Sequence, residues 1–250
     1  MLDTHSSNDV DAQKAFRVLG MIQSNYIPWR GYFDFIKSSD IFIIYDDVQY
    51  TRKDWRNRNI IKTANGPAWL TVPVIHSLSA PALVQDSLIS YKENWIKKHI
   101  GTITLAYQKA PYFKRYSQDF FDILNSRHET ISKLNVAIIQ WAMNDLEIKT
   151  PIKFSKDFDP AGTRTDRILD IISKVEATSY LVGPSARSYI EVDKFKAAGI
   201  GLEFKGYSYP DYPQLHGPFD PKVSIIDLIF NCGPDSKNYI DSLVPNERAC

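Results

Sequence analysis

Continuous apolar runs alternate along the chain with stretches whose apolar residues recur at helical spacing. Residues 16–22 and 41–45 are almost wholly apolar, and the segment 31–38 between them has the three-to-four-residue spacing of a helix. Strands that are apolar along their whole length are typical of a parallel sheet covered on both faces. This part of the chain therefore predicts a strand–helix–strand unit.

The same alternation continues to the C-terminal end of the sequence. Pro73 cannot donate a ladder hydrogen bond, so the strand that contains it is expected at an edge or bulge. Further strands are predicted at 68–75, 179–182 and 202–207, and helices at 93–109, 115–148, 185–198 and 224–231. Helices that fall between strands predict an α/β fold of three layers with a mainly parallel sheet, Rossmann-like in type.

The ends of the chain differ in character from its middle. Residues 1–15 are polar and acidic, which predicts a disordered leader and not a signal peptide. Residues 16–235 are predicted to form a single α/β domain with a helical portion at about 93–148, followed by a C-terminal tail at 236–250. No apolar run approaches the ~20 residues that span a bilayer, so no membrane insertion is expected.

Composition narrows the classes of function. The net charge of +1 gives no general electrostatic attraction to nucleic acid, so any basic site must be local. Fourteen tyrosines and five tryptophans suit a protein that binds planar or sugar-like ligands. Two cysteines, Cys232 and Cys250, have no zinc-site spacing, so no metal site is predicted and a reduced, cytoplasmic setting is expected. The Walker, dinucleotide-binding, hydrolase-elbow and zinc-protease motifs are absent from the sequence.

Polar clusters follow three of the predicted strands directly. They begin at Gln23, at Asp46 and at Gly183. In an open parallel sheet, ligands bind beyond the carboxyl ends of the strands. If these strands are parallel, the three clusters lie on one rim, and the sequence predicts a pocket there.

Three residues are candidates for catalysis. Asp46 and Asp47 point to opposite faces if both are extended, so at most one is expected to face a ligand. Such a carboxylate could hold an ammonium group, act as general base or bind a metal, or it could simply pair with a nearby arginine. His216 lies in a loop between prolines, where it could be a placed acid or base or an ordinary surface histidine.

The candidates for substrate binding offer guanidinium, amide or aromatic groups. Arginines could hold a phosphate through paired donors, and an aromatic ring such as that of Tyr50 or Trp55 could stack on a base. The start of the predicted helix at Ser185 would favour an anion. The full set of predicted substrate-binding residues is Gln23, Asn25, Tyr26, Trp29, Gln49, Tyr50, Arg52, Trp55, Arg58, Asn59, Gly183 and Ser185.

Several motifs in fixed order resemble the WbqC-like family. They are IQSNYIPWRGYFD at 22–34, DDVQY at 46–50, RNRN at 56–59, WLTVPV at 69–74, YLVGP at 180–184, YPQLHGPF at 212–219 and FNCG at 230–233. The resemblance covers the chain from about 16 to 235. Ser24 departs from it, since the family usually has proline at this position.

The resemblance implies a role in the biosynthesis of O-antigen or another surface polysaccharide. It suggests an enzyme that N-acylates a nucleotide-linked amino sugar, for example with a glycyl group. The acyl donor would be an aminoacyl-tRNA, an acyl thioester, or a free amino acid with ATP. The loop and helix after the first strand are also similar to those of nucleotidylyltransferases, although the H-x-G-H of those enzymes is absent.

Two alternatives to N-acylation remain at this point. One is a different sugar-nucleotide enzyme of the same pathway, such as a glycosyltransferase. The other is a non-catalytic binding or scaffold protein. The sequence does not indicate an oligomeric state.

Overall fold

A six-stranded sheet, parallel except at one edge, forms the centre of the protein. The structure is a computed structural model that describes residues 17–75 and 82–250. The strands are β1 (Val18–Ile22), β2 (Ile41–Ile44), β3 (Arg58–Thr63), β4 (Gly66–Thr71), β5 (Ile152–Phe154), β6 (Ser179–Val182), β7 (Gly201–Phe204) and β8 (Glu247–Arg248). Their order in the sheet is β5-β2-β1-β6-β7-β8, and β3 and β4 form a separate hairpin.

Seven α-helices accompany the strands in the described residues. They are α1 (Arg30–Lys37), α2 (Trp95–Tyr107), α3 (Phe113–Asn125), α4 (Ile131–Asp145), α5 (Arg164–Lys174), α6 (Val192–Ala197) and α7 (Ile225–Cys232). Helices α2, α3 and α4 fill the helical portion predicted at 93–148. In residues 17–75 and 82–250, every helix is too short or too polar to cross a bilayer.

The helices cover both faces of the sheet, which confirms the predicted three layers. Along β2, Phe42 and Ile44 join a core with α1 to α4 and α7. Ile41 and Ile43, which alternate with them, join a second core with α5 and α6. Because successive strand residues point to opposite faces, a four-residue strand that is apolar throughout must be covered on both sides.

The direction of chain progression across the sheet reverses between β1 and β6. From β1 the chain passes through α1 to β2, which lies on one side of β1. After β5 it crosses to β6, on the other side of β1, and continues through α6 to β7. Right-handed crossovers in opposite directions place their helices on opposite faces. The carboxyl ends of β1 and β6 therefore form a topological switch point, where open α/β sheets bind ligands.

Two predicted elements differ from the structure. The strand predicted at 68–75 is β4, which ends at Thr71 and pairs antiparallel with β3 outside the main sheet. The continuous helix predicted at 185–198 is wrong, because a short 3₁₀ turn at Pro184–Ser188 is followed by the separate helix α6. Ile190 and Phe195 are both buried in the second core. On one continuous helix these two residues, five positions apart, would point about 140° away from each other and could not both face that core.

The structure describes one of the two segments predicted to flank the domain. Residues 1–15, predicted as a leader, lie outside the described residues. Within 236–250, predicted as a tail, Ile240 is fully buried and β8 pairs antiparallel with β7 at the sheet edge. The C-terminal segment therefore packs on the sheet.

Candidate functional site

A cavity of about 750 Å³ opens at the switch point. We call it the switch-point pocket. Its lining residues come from the ends of β1, β2 and β6, from the start of α5 and from Arg56: they are Met21, Ile22, Gln23, Tyr45, Arg56, Arg164, Thr165, Ile168, Tyr180, Val182, Gly183, Ser185 and Tyr189. The structure thus brings Gln23, Gly183 and Ser185 together at one rim.

Two arginines, Arg56 and Arg164, line this pocket. Arg56 is mostly buried, donates to the side-chain oxygen of Asn25 and lies 3.8 Å from a carboxylate oxygen of Asp54. Arg164 is exposed, and within residues 17–75 and 82–250 its side chain makes no ion pair or hydrogen bond. None of the described lining residues carries a carboxylate. The pocket is therefore suited to an anion with two or more acceptor oxygens.

The backbone at Arg164 is held in an uncommon conformation. Its φ is +52°, in the left-handed region, although it is the first residue of α5. For a residue with a Cβ this conformation costs roughly 1–2 kcal/mol. Such strain is concentrated at functional sites, where the surrounding structure holds a side chain in place. Here the residue in this conformation is an arginine that lines the switch-point pocket.

Asp46 anchors the loop that follows β1. Its buried carboxylate accepts hydrogen bonds from Ser24 N at 2.8 Å and Ser24 Oγ at 2.7 Å, and a further one from Ser132 on α4. Asn135 extends this network by donating to Ser24 Oγ at 3.2 Å and to the carbonyl of Arg56 at 2.8 Å. Burial raises the pKa of the Asp46 carboxyl. These contacts hold the loop after β1; Asp46 is absent from the lining of the switch-point pocket and, with Ser132, lines a separate cavity of about 290 Å³.

Ser24 is held through both its backbone and its side chain. Both the N–H and the hydroxyl of Ser24 donate to Asp46. Proline has no N–H. A proline at this position could make neither contact.

Asp47 is occupied by an ion pair. One of its oxygens lies 2.6 Å from Nη2 of Arg167 on α5, and the other accepts from Ser155 Oγ. The arginine that pairs with it is therefore Arg167, which lies 120 residues further along the chain. This pair joins the end of β2 to α5, beside the pocket.

His216 lies away from the switch point, against α2. Its Nε2 is 2.7 Å from the carbonyl oxygen of Ala106. In the same loop, the hydroxyl of Tyr212 donates to Asp227 at 2.8 Å, as Tyr107 does from α2. Asp227 is fully buried, and its burial raises the pKa of its carboxyl. The loop that contains His216 therefore packs around a buried polar network.

Several of the predicted binding residues lie outside the switch-point pocket, and among them Trp29, Trp55 and Asn59 line a separate cavity. Asn59 donates to the carbonyls of Tyr26 and Ile27, at 3.0 and 2.8 Å. Trp29 packs on Tyr207, and its ring covers Gly31 so closely that a Cβ there would lie 2.3 Å from a ring atom. The others are placed as follows: Gln49 bridges to Leu83, Tyr50 is buried, Arg52 is exposed, and Trp55 and Arg58 lie at the β3–β4 hairpin.

Sequence reasoning missed part of the pocket lining. Tyr189 follows the 3₁₀ turn after β6, in a segment that the sequence had predicted as helix. Arg164 and Thr165 lie at the start of α5, outside the predicted clusters, and reach the pocket because α5 leads from β5 to β6 across β1. Only the topology carries that information. Tyr45 could have been found, since it is the last residue of an apolar run at the rim.

His99 ties the loop after β1 to α2, and its titration gives the first testable prediction. Its Nδ1 is 2.9 Å from the hydroxyl of Tyr26, and burial lowers the pKa of His99 from 6.5 to about 4. Between these pH values the unfolded chain binds more protons than the folded one, so stability is expected to fall as pH drops. The loss attributable to His99 should reach roughly 3 kcal/mol.

Urea unfolding of the wild type and of His99→Gln at pH values from 7 to 4 measures this effect. Glutamine keeps polar atoms near Tyr26 and does not titrate. We expect the difference in unfolding free energy between the two proteins to shift in favour of the variant as pH falls. A pH-independent difference would contradict a neutral His99.

Comparison with known proteins identifies the family to which the chain belongs. A family model described as the WbqC-like protein family matches residues 23–239. A protein of Mycobacterium tuberculosis named "Uncharacterized protein Rv1507c" is 40% identical over 224 residues, which cover 89% of this chain and 96% of that protein. That name assigns no activity to the relative. No solved structure matches the chain. From the family match and this relative, we conclude that the chain belongs to the WbqC-like family.

Proposed function

We propose that the protein is an enzyme that joins an acyl group, such as a glycyl group, to the amine of a nucleotide-linked amino sugar. Membership of the WbqC-like family suggests a biosynthetic enzyme. The surface-polysaccharide setting and the N-acylation reaction are parts of the proposal.

The observation that carries this proposal is the pair of arginines in the switch-point pocket. A nucleotide-linked sugar contains a pyrophosphate, whose oxygens match the donors of Arg56 and Arg164. The cavity of about 750 Å³ is of the size that binds small molecules. Tyr45 and Tyr189 supply aromatic faces for the base or the sugar.

In this pocket, acyl transfer would depend on holding the sugar amine close to the acyl carbonyl carbon, and not on a side chain that acts as a general base. The sugar ammonium loses a proton, its nitrogen attacks the acyl carbonyl carbon, and a C–N bond forms. The bond from that carbon to the donor then breaks with its electron pair, and the nitrogen loses its second proton. Gln23 and Ser185 could donate to the oxyanion of the intermediate. Because the described lining lacks a carboxylate, we assign the two protons to the leaving group and solvent.

Mass spectrometry of intact sugar nucleotides tests the proposal. The purified protein is incubated with nucleotide-linked amino sugars, amino acids, ATP and charged tRNA. We expect one sugar nucleotide to gain the mass of an aminoacyl residue, with the nucleotide still attached. Omission of ATP and of tRNA in turn identifies the donor.

Two other results would replace the proposal. Release of nucleoside diphosphate with an added sugar or lipid acceptor would indicate a glycosyltransferase. Binding of a sugar nucleotide without any change in its mass, even after long incubation with every donor, would indicate a binding protein.

A further inference from the structure

A second cavity, of about 530 Å³, lies next to the switch-point pocket. Its walls include Pro28, Trp29, Trp55 and Ile60, so they are largely apolar. Asn25 also lines it, and this residue accepts a hydrogen bond from Arg56, which lines the switch-point pocket. The Asn25–Arg56 contact is therefore a shared wall between the two cavities.

A pair of stacked tryptophans stands at this second cavity. The rings of Trp55 and Trp69 have centroids 5.6 Å apart and an interplanar angle of 28°. Both side chains are about half exposed, at 46% and 48%. Trp69 lies opposite Ile60 in the β3–β4 hairpin, so the hairpin fixes its position beside the cavity. Exposed, adjacent tryptophan rings are a surface on which a planar ring can stack.

Cationic groups accompany these rings. The guanidinium of Arg58 lies 4.3 Å from the centre of the Trp69 ring, and Lys222 lines the cavity. Neither makes an ion pair among residues 17–75 and 82–250. The carboxylates nearest in sequence are engaged, since Asp54 accepts from Thr51 and the Trp55 N–H, and Asp220 accepts from the Lys222 N–H. The described lining of the cavity contains no carboxylate.

Stacked aromatic rings beside unpaired cations are the combination that binds nucleotides. We infer that this cavity is a second nucleotide site, which binds the adenosine nucleotide of the acyl donor. Its base would stack on the Trp55–Trp69 pair, and its phosphate would meet Arg58 or Lys222. The identification of adenosine rests on the proposed function, because coenzyme A, ATP and the 3′ end of tRNA all contain it.

The shared wall explains how two such substrates would meet. A donor in the second cavity and a sugar nucleotide in the switch-point pocket would lie on either side of the Arg56–Asn25 contact. Arg56 could then contact both. This arrangement assigns Trp55 to the acyl donor. From the sequence, Trp55 had been grouped with Gly183 and Ser185 as residues that bind the same substrate.

Calorimetric titration tests the second site without requiring turnover. The probes are ADP, ATP, coenzyme A and a short RNA with a single-stranded CCA end. We expect at least one probe to bind, and Trp55→Leu together with Trp69→Leu to weaken that binding roughly ten-fold or more. Both rings are half exposed, so the double variant should fold, which a thermal melt checks.

Arg164→Gly is the matched control, because it alters the other pocket. It should leave the affinity for the adenosine probes unchanged, while the tryptophan variant should leave sugar-nucleotide affinity unchanged. The probe that binds most tightly identifies the source of the adenosine.

Failure of all four probes to bind, or binding that the tryptophan substitutions leave unchanged, would overturn the second site. Competition between a sugar nucleotide and ADP for the tryptophan cavity would also overturn it, since one ligand would then occupy both places. Tryptophan-dependent binding of a probe without N-acylation in the mass assay would uphold the second site and refute the proposed function. N-acylation that the tryptophan substitutions leave unchanged would uphold the proposed function and refute the second site.

Discussion

Replacement of Arg164 by glycine is expected to weaken sugar-nucleotide binding about ten- to a hundred-fold. The guanidinium is exposed and unpaired in the described residues, so its loss removes a contact to the ligand and none within the protein. A hydrogen bond to a charged group contributes roughly 1.5–3 kcal/mol. Glycine accepts the left-handed backbone that Arg164 adopts at φ +52°, so the free energy of unfolding should stay within about 1 kcal/mol.

Isothermal titration with a nucleotide-linked amino sugar measures the loss, and urea unfolding measures stability. Arg127→Gly is the matched control, since Arg127 is also an exposed arginine in the left-handed region, at φ +50°. It lies by Tyr91, outside the switch-point pocket. Equal affinities for both variants and the wild type would remove Arg164 from the site.

Asp46→Ala is expected to lower the free energy of unfolding by about 3–5 kcal/mol. The substitution leaves the N–H and hydroxyl of Ser24 and the hydroxyl of Ser132 without their acceptor. Each buried polar group that loses its partner costs about 1–3 kcal/mol, and the cavity adds to this. Asp46→Asn retains one acceptor oxygen and should cost no more than about 2 kcal/mol.

Two measurements separate an anchoring role of Asp46 from a catalytic one: chemical denaturation of both variants and the turnover of Asp46→Asn. If Asp46 only positions the loop, the asparagine variant should keep its turnover within a few-fold of the wild type. Loss of turnover by orders of magnitude in a stable Asp46→Asn protein would restore the catalytic interpretation. An alanine variant as stable as the wild type would refute the anchoring network.

Strands β1 and β2 of the central sheet were predictable because they are apolar along their whole length. Ile41–Ile44 is such a strand, and both its faces are covered. β3 was missed because Arg58, Asn59 and Lys62 give it the composition of a polar loop. Its Lys62 is buried by tertiary contacts, since Nζ donates to Gln214 and to the carbonyl of Pro218. β8 is two residues long and has no periodicity to detect.

The candidate site was predictable only as far as it follows strand ends. Gln23 and Gly183 were expected on one rim, and the parallel pairing of β1 with β6 places them there. The partner of Asp47 was not predictable, because Arg167 lies 120 residues away on α5. Arg164 was missed for the same reason. Contacts of this kind depend on which strands are neighbours, and one sequence does not encode that in any local pattern.

The central claim is that the switch-point pocket binds the pyrophosphate of a nucleotide-linked amino sugar. A crystal structure of the protein with such a ligand tests it most directly. The account predicts phosphate oxygens within hydrogen-bonding distance of both Arg56 and Arg164, with the sugar amine toward the Asn25 wall. A ligand whose phosphates contact neither arginine, for example one seated wholly on the Trp55–Trp69 pair, would contradict it.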